Sequence, residues 1–160
     1  MFHFEEGEVF LIDKPLDWTS FDAVNLIRSV IKRYHGIRKL KVGHAGTLDP
    51  LATGLLIVCT GRMTKQIDSF QAQEKVYTGT LLLGQTTPTF DMESEADASY
   101  PTDGITIEMM EDARKSFIGD IMQKPPKFSA IKINGKRAFD YARSDEEIAL
   151  KERLIHIDDF

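Results

Sequence analysis

The stretch GHAGTLDPLATGLLIVCTG, from Gly43 to Gly61, is the most constrained part of this 160-residue chain. Its first twelve residues hold three glycines, one proline and one aspartate, Asp49. The apolar run that follows, LLIVCT, is typical of a buried central strand. A glycine-rich loop therefore presents a single carboxylate just before the core. A structural interpretation of Asp49 also fits, because aspartate followed by proline often starts a helix.

The segment before this stretch predicts a strand and an amphipathic helix. EVFLID, Glu8–Asp13, is a short apolar strand closed by Lys14 and Pro15. TSFDAVNLIRSVIKRY is a helix that Thr19 or Ser20 caps and Gly36 ends. Its apolar stripe is formed by Val24, Ile27, Ile31 and Tyr34.

The rest of the chain contains further predicted strands and helices, with one long loop. Asn134-Gly135 is the strongest hairpin signal in the sequence. The terminal KERLIHIDDF is a strand that needs either an upstream partner or a continuation of the chain. The other predicted elements are a helix at Thr64–Gln71, a strand at Lys75–Gly84, a loop at Gln85–Gly104 and a helix at Ile107–Phe117.

Composition favours a water-soluble globular protein of the cytoplasm. Apolar residues make up 42% of the chain and charged residues 28%. No apolar run approaches the roughly 20 residues that span a bilayer, and the acidic N-terminus is unlike a signal peptide. The single cysteine, Cys59, suits a buried position, and the four histidines are too scattered to predict a metal site. We expect no membrane, no metal and no cofactor.

Basic residues are concentrated in two segments although the net charge is −5. Such patches can bind a polyanion, although they also suit solvated faces. Residues 28–48 contain Arg28, Lys32, Arg33, Arg38, Lys39 and Lys41 and no acid. Residues 122–143 contain Lys124, Lys127, Lys132, Lys136, Arg137 and Arg143 against Asp140 alone.

Two familiar enzyme sites do not match the loop around Asp49. A phosphate-binding P-loop needs Gly-Lys-Ser/Thr after its glycines, and none follows Gly46. A glycosidase needs two paired carboxylates, and this stretch holds one, although distant acids could approach it in the fold.

GHAGTLDPLATGLL closely resembles the catalytic motif of the TruB family, the bacterial tRNA pseudouridine synthases. Three further segments resemble other motifs of that family in the same order. LIDKPLDWTSFDAV is similar to its first motif, KVYTGTLLLGQTTPTFDMESE to its tyrosine motif, and IMQKPPKFSAIKINGKRAFDYAR to its RNA-gripping thumb insertion. The resemblance implies an α+β catalytic domain of the pseudouridine synthase type, with a largely antiparallel sheet flanked by helices and a thumb at residues 122–151.

The resemblance also implies roles for individual residues. Asp49 matches the catalytic aspartate, Tyr77 the tyrosine that stacks on the target base, and His44 a histidine that occupies or supports the space left by the flipped uridine. The remaining matches are supporting polar residues, Lys14, Lys65 and Asp91. On the residues alone, the structural interpretation is favoured for each: Tyr77 as a core aromatic, His44 as a polar loop residue and Lys65 as a surface charge.

The implied reaction is the isomerisation of the T-loop uridine of tRNA, at position 55, to pseudouridine. The bond between N1 and C1′ breaks, the uracil rotates, and C5 joins C1′, so no redox cofactor is required. Asp49 acts either as a nucleophile or by promoting a glycal, and the sequence does not choose between them. A stacked uridine must first be flipped out. The basic segments would hold the phosphates of the T-arm.

The family pattern continues beyond Phe160 with a KGTYIR-like motif, whose arginine pairs with the catalytic aspartate, and often with a PUA-type domain. We therefore expect an incomplete catalytic domain at 1–160, weak or no isomerase activity of this chain, and either an exposed strand edge or an intermolecular contact near Leu154–Phe160. The full-length protein is expected to be a monomer. A non-catalytic RNA-binding or tRNA-chaperone fragment remains an alternative, and a guide-RNA-dependent relative is a weaker one. The thumb is expected to be mobile without RNA.

Overall fold

A computed structural model of the protein describes residues 2–126, 132–133, 135–137, 141, 144 and 150–160. The chain divides into two units, Met1–Thr78 and Gly79–Phe160. Both units combine helices with antiparallel strand pairs, which confirms the predicted α+β class. None of the helices in the described ranges is long and apolar enough to cross a membrane.

The first unit is built on a three-stranded antiparallel sheet in the order β1-β3-β2. The apolar run after the glycine-rich loop forms the central strand, as predicted, and Val58 lies opposite both Phe10 and His44. Because this strand is central, both of its edges are hydrogen-bonded to a neighbouring strand, which is compatible with its burial. The strands are β1 at Val9–Lys14, β2 at Val42–Ala45 and β3 at Gly54–Thr60.

Helix α1, Ser20–His35, packs on one face of this sheet. Thr19 caps it in a reciprocal capping box with Asp22, and its C-terminal cap is Gly36. The Thr19 hydroxyl and N–H donate to the Asp22 carboxylate and lower the pKa of that carboxyl. The core between helix and sheet consists of Ala23, Val24, Leu56 and Val58.

The last turns of the first unit differ in part from the prediction. Tyr34 does not continue the apolar stripe of α1. Tyr34 is 71% exposed, because the buried cluster reaches only the earlier turns of the helix. Its ring centroid lies 5.5 Å from the Arg33 guanidinium carbon. The helix expected at Thr64–Gln71 is split into a 3₁₀ helix at Gly61–Gln66 and a short α2 at Ile67–Gln71.

The strand predicted at Lys75–Gly84 is wrong: this segment has no regular structure. Its β-forming residues are exposed, with 86% of Val76 and 77% of Leu81 accessible. A strand exists through its hydrogen-bonded partners rather than its own residue preferences, and no described strand pairs with this segment.

The second unit begins with short elements. The loop expected at Gln85–Gly104 contains a small ladder of β4, Gln85–Thr86, with β5, Ala98–Ser99. The Thr86 hydroxyl donates to the Asp97 carboxylate at 2.6 Å. This hydrogen bond links β4 to the residue just before β5 and so stabilises the ladder. Helix α3 spans Ile107–Lys115, capped by Thr106, close to its predicted bounds.

The Asn134-Gly135 hairpin is confirmed by the pairing of β7, Lys132–Ile133, with β8, Lys136–Arg137. Asn134 itself lies outside the described residues. The same is true of most of the segment that follows it, so the expected mobility of the thumb falls outside the described ranges.

The predicted terminal strand is β9, Arg153–Ile157, and its upstream partner is β6, Gly119–Gln123. Within the described part of the chain β9 has no second neighbour, so one edge is open, as expected. Leu154 on this strand is 65% exposed. Arg114 of α3 binds the Asp159 carboxylate and the Phe160 carbonyl just beyond the strand.

A histidine–aspartate pair bridges β6 and β9. His156 lies opposite Asp120, with His156 Nδ1 2.6 Å from Asp120 Oδ1, and Asp158 lies 3.3 Å from Nε2. The hydrogen bond with Asp120 is the main cause that raises the pKa of His156 above its ordinary value of 6.5. The pair therefore stabilises the ladder below about pH 6.5. This contribution is lost as the pH rises through the raised pKa.

We expect Asp120→Asn to lower the pKa of His156 toward 6.5, because the substitution removes the carboxylate whose hydrogen bond, and to a lesser degree whose charge, favours the imidazolium. An NMR titration of the His156 ring measures the shift. Asp158→Asn is the matched control and should have a smaller effect. An unchanged His156 pKa in Asp120→Asn would show that the pair does not form in solution.

Candidate active site

Asp49 lies in the loop that joins β2 to β3, as predicted, and its side chain is exposed. Its backbone carbonyl accepts a hydrogen bond from the Ala52 N–H at 3.0 Å, which closes a turn directly after it. Neither a hydrogen bond nor an ion pair engages the carboxylate among the residues described. The carboxylate is thus free to meet a ligand, while the backbone beneath it is fixed.

The backbone before Asp49 is held by Ser20 at the start of α1. The Ser20 hydroxyl donates to the Leu48 carbonyl at 3.0 Å and accepts from the Leu48 N–H at 2.9 Å. Ser20 is only 3% exposed, and the Leu48 side chain packs against the core cluster. The residue before the carboxylate is therefore anchored through both its backbone and its side chain.

The backbone after Asp49 is held by the turn that follows β1. The Pro50 carbonyl accepts from the Asp17 N–H at 2.9 Å and from Lys14 Nζ at 3.5 Å. Lys14 is fully buried, and its ammonium also donates to the carbonyls of Pro15 at 3.0 Å and Trp18 at 2.5 Å. A buried lysine is rare unless its charge is satisfied, so this cluster of carbonyls accounts for its burial.

Two glycines give the loop its shape. Gly46 has φ 103° and Gly54 has φ 121°, a region that side chains with a Cβ seldom adopt. A Cβ at either position would meet no atom within 4 Å, so the requirement is conformational rather than steric within this chain. The glycines let the chain leave β2, present Asp49 and enter the central strand.

His44 precedes this loop on β2 and is half-buried. Its Nδ1 is hydrogen-bonded to the carbonyl of Gly46, two residues along the chain. The imidazole is thereby tied to the start of the loop that carries Asp49. This arrangement is compatible with a supporting role and does not test contact with a base.

Tyr77 is 72% exposed and belongs to the segment without regular structure. No ring contact or hydrogen bond in the described ranges joins it to Asp49, and its stacking on the target base stays a prediction. Lys65, at the end of the 3₁₀ helix, is also exposed. Both side chains are accessible, but the contacts around them do not assign either a role.

Asp91 organises a loop in the second unit. Its carboxylate accepts from the Thr89 hydroxyl at 2.5 Å and the Glu93 N–H at 3.0 Å. Its backbone carbonyl accepts from the Thr87 hydroxyl at 2.8 Å. These contacts explain an aspartate at this position through the loop alone, and its expected active-site role stays a prediction.

Three of the predicted RNA-binding residues, Arg38, Lys39 and Lys41, are exposed after α1. Arg38 lines an open cavity of about 500 Å³ at the end of this helix, together with Lys32 and Arg33. A cavity lined by three cationic side chains suits an anionic group such as phosphate.

The basic residues of the predicted thumb are only partly described. Lys124 is exposed and lines a separate cavity of about 480 Å³ with Pro88, Phe90, Pro125 and Pro126. The backbones of Lys132, Lys136 and Arg137 form the β7–β8 hairpin. Lys127 and Arg143 lie outside the described residues.

Sequence reasoning missed Ser20 and Asp17 as residues of this site. The sequence predicts Ser20 only as an alternative helix cap, a position that Thr19 occupies. With Thr19 as the cap, Ser20 becomes a polar residue at the buried start of a helix. A polar residue in that position is the sequence signal that could have identified Ser20.

Comparison with known proteins agrees with the motif resemblance. Residues 32–160 match the model of the TruB family pseudouridylate synthase, N-terminal domain. Curated proteins named tRNA pseudouridine synthase B are similar over 98% of this chain, with 57% identity in Phocaeicola vulgatus and 56% in Parabacteroides distasonis. The chain spans 67% and 66% of the lengths of these two proteins, about two thirds.

A more distant relative of the same name, from Flavobacterium johnsoniae, is 50% identical over 97% of this chain and 68% of its own length. Among solved structures, a chain in the crystal structure of a Cbf5-Nop10-Gar1 complex covers 81% of this chain and 32% of its own. The TM-score is 0.49 at 25% identity.

Proposed function

This chain belongs to the TruB family of pseudouridylate synthases, and from that premise we propose that its full-length protein converts the T-loop uridine of tRNA, at position 55, to pseudouridine. The observation that carries the proposal is Asp49: an exposed carboxylate, without a partner among the described residues, on a loop whose backbone is held on both sides. Fixed geometry under a reactive group is what a positioned catalyst requires.

In the proposed reaction Asp49 acts at C1′ of the target nucleotide. The N1–C1′ bond breaks, the uracil turns within the site, and C5 bonds to C1′. N1 ends with a proton, and the proton originally on C5 is released. Asp49 either bonds to C1′ and is displaced when C5 bonds there, or removes the C2′ proton to give a glycal and returns it when C5 bonds to C1′. The absence of a partner within the described part of the chain supports both routes equally.

Other residues are proposed to prepare the base for this step. The target uridine must leave its stack, and an aromatic face can replace the lost stacking at roughly 1–3 kcal/mol per base. The exposed ring of Tyr77 supports this role. His44, Lys14, Lys65 and Asp91 are proposed as supporting residues, with His44 and Lys14 tied directly to the loop of Asp49.

The T-arm of tRNA is the proposed partner of the two basic segments. Exposed Arg38, Lys39 and Lys41 on the first unit would contact phosphates, and residues 122–151 would form the gripping thumb. We place the 1–160 region within the catalytic domain of a cytoplasmic enzyme that needs no cofactor.

The proposal is tested by tritium release from a T-arm RNA that carries uridine labelled at C5. We expect the full-length protein to release one equivalent of tritium per target uridine, because C5 loses its hydrogen when it bonds to C1′. An RNA with cytidine at the target position is the control. Tight binding of the T-arm without any release would instead favour a non-catalytic RNA-binding protein or tRNA chaperone.

A further inference from the structure

We propose that Ser20 is a positioning residue for Asp49, acting through the backbone of Leu48; this inference rests on the proposed function. One hydroxyl serves both polar groups of the residue directly before the carboxylate. A hydroxyl can do this because it carries one donor and two acceptor sites.

The two hydrogen bonds restrain different peptide groups. The Leu48 N–H, 2.9 Å from Ser20 Oγ, belongs to the peptide that enters Leu48. The Leu48 carbonyl, 3.0 Å from Ser20 Oγ, belongs to the peptide that leads into Asp49. Because a peptide group is planar, fixing this carbonyl also fixes the direction from which the Asp49 Cα is reached.

The role of Ser20 is separable from the start of the helix. Thr19 already caps α1 by accepting from the Asp22 N–H, and the Asp22 carboxylate accepts in turn from the Thr19 N–H. The hydroxyl of Ser20 is therefore not needed for capping. Its two contacts cross from α1 to the loop, over 28 positions in sequence.

Burial makes these bonds hard to replace. Only 3% of Ser20 is exposed. Water therefore has little access to replace its hydroxyl as the hydrogen-bond partner of Leu48. The Leu48 side chain packs beside the core cluster, so the loop cannot move to find other partners without leaving the core. Loss of the hydroxyl would leave both Leu48 groups without their partner.

The expected consequence is a loss of rate rather than of RNA affinity. A misplacement of about 1 Å at a reacting group can reduce the rate about 100-fold. Ser20 lies behind the loop and is buried, so it has little surface to offer to RNA. In Ser20→Ala we therefore expect the single-turnover rate at saturating T-arm RNA to fall roughly 10- to 100-fold, with the dissociation constant unchanged.

The experiment compares Ser20→Ala with Ile31→Val in the full-length protein. Ile31 is on the same helix and equally buried at 3% exposure, but it lies outside the cluster that contacts Leu48. Both variants should lose thermal stability, and only Ser20→Ala should lose rate. If Ser20→Ala does not fold, Ser20→Cys gives the same comparison, because it keeps the side-chain shape and forms weaker hydrogen bonds.

Three outcomes overturn the inference. Equal rates for Ser20→Ala and Ile31→Val, with wild-type turnover intact, would show that Ser20 is only structural. A higher dissociation constant for T-arm RNA, with an unchanged rate, would show that Ser20 contributes to RNA binding instead. Wild-type inactivity, or full activity of Asp49→Asn in the same assay, would contradict the proposed function itself, and the inference would fall with it.

Discussion

Replacing Asp49 with asparagine is expected to reduce pseudouridine formation by roughly a thousandfold or more in the full-length protein, with little effect on tRNA binding. Asparagine keeps the size of the side chain and most of its hydrogen-bonding capacity, but it is neither an anionic nucleophile nor a base. The Asp49 side chain is exposed and has no partner among the described residues, so its replacement should not disturb the fold. Tritium release measures turnover, and filter binding measures affinity.

The matched control is Asp68→Asn. Asp68 is another exposed aspartate of the first unit, on the short helix α2, and no hydrogen bond in the described ranges engages its side chain. This variant removes the same charge and should retain wild-type turnover. Residual activity of Asp49→Asn within about tenfold of wild type would mean that another group performs the chemistry.

Replacing Lys14 with methionine is expected to lower the free energy of unfolding of the first unit by about 3 kcal/mol. Methionine fills the buried space of the lysine stem, but the carbonyls of Pro15 and Trp18 lose the ammonium that satisfies them. The Pro50 carbonyl keeps its bond from the Asp17 N–H, so the loss is concentrated in the turn after β1.

Urea denaturation followed by tryptophan fluorescence measures this loss, because Trp18 is the single tryptophan and lies in the affected turn. Lys39→Met is the control: Lys39 is exposed, so its replacement should change stability by less than about 0.5 kcal/mol. Unchanged or increased stability of Lys14→Met would show that the cost of burying the ammonium offsets its hydrogen bonds.

Features that depend on neighbouring residues could be predicted from the sequence. The capped helix α1 follows from Thr19, Asp22 and the apolar repeat, since a cap and a helical stripe involve positions three or four apart. The Asn134-Gly135 turn predicted its hairpin for the same reason. The failures at Tyr34 and Lys75–Gly84 have one cause: local preference does not supply the partner that an element packs against.

For the candidate site, the sequence by itself determined that Asp49 sits on a glycine-rich loop before the central strand, in a family whose motifs occur in this order. Only the tertiary structure decided what holds that loop. Ser20 reaches Leu48 across 28 positions, and Lys14 reaches Pro50 across 36. Such contacts depend on how a helix and a turn pack on the sheet, and no local pattern encodes that distance. The burial of Lys14 has the same origin, because lysine is ordinarily a surface residue and only the carbonyls gathered by the fold satisfy its charge.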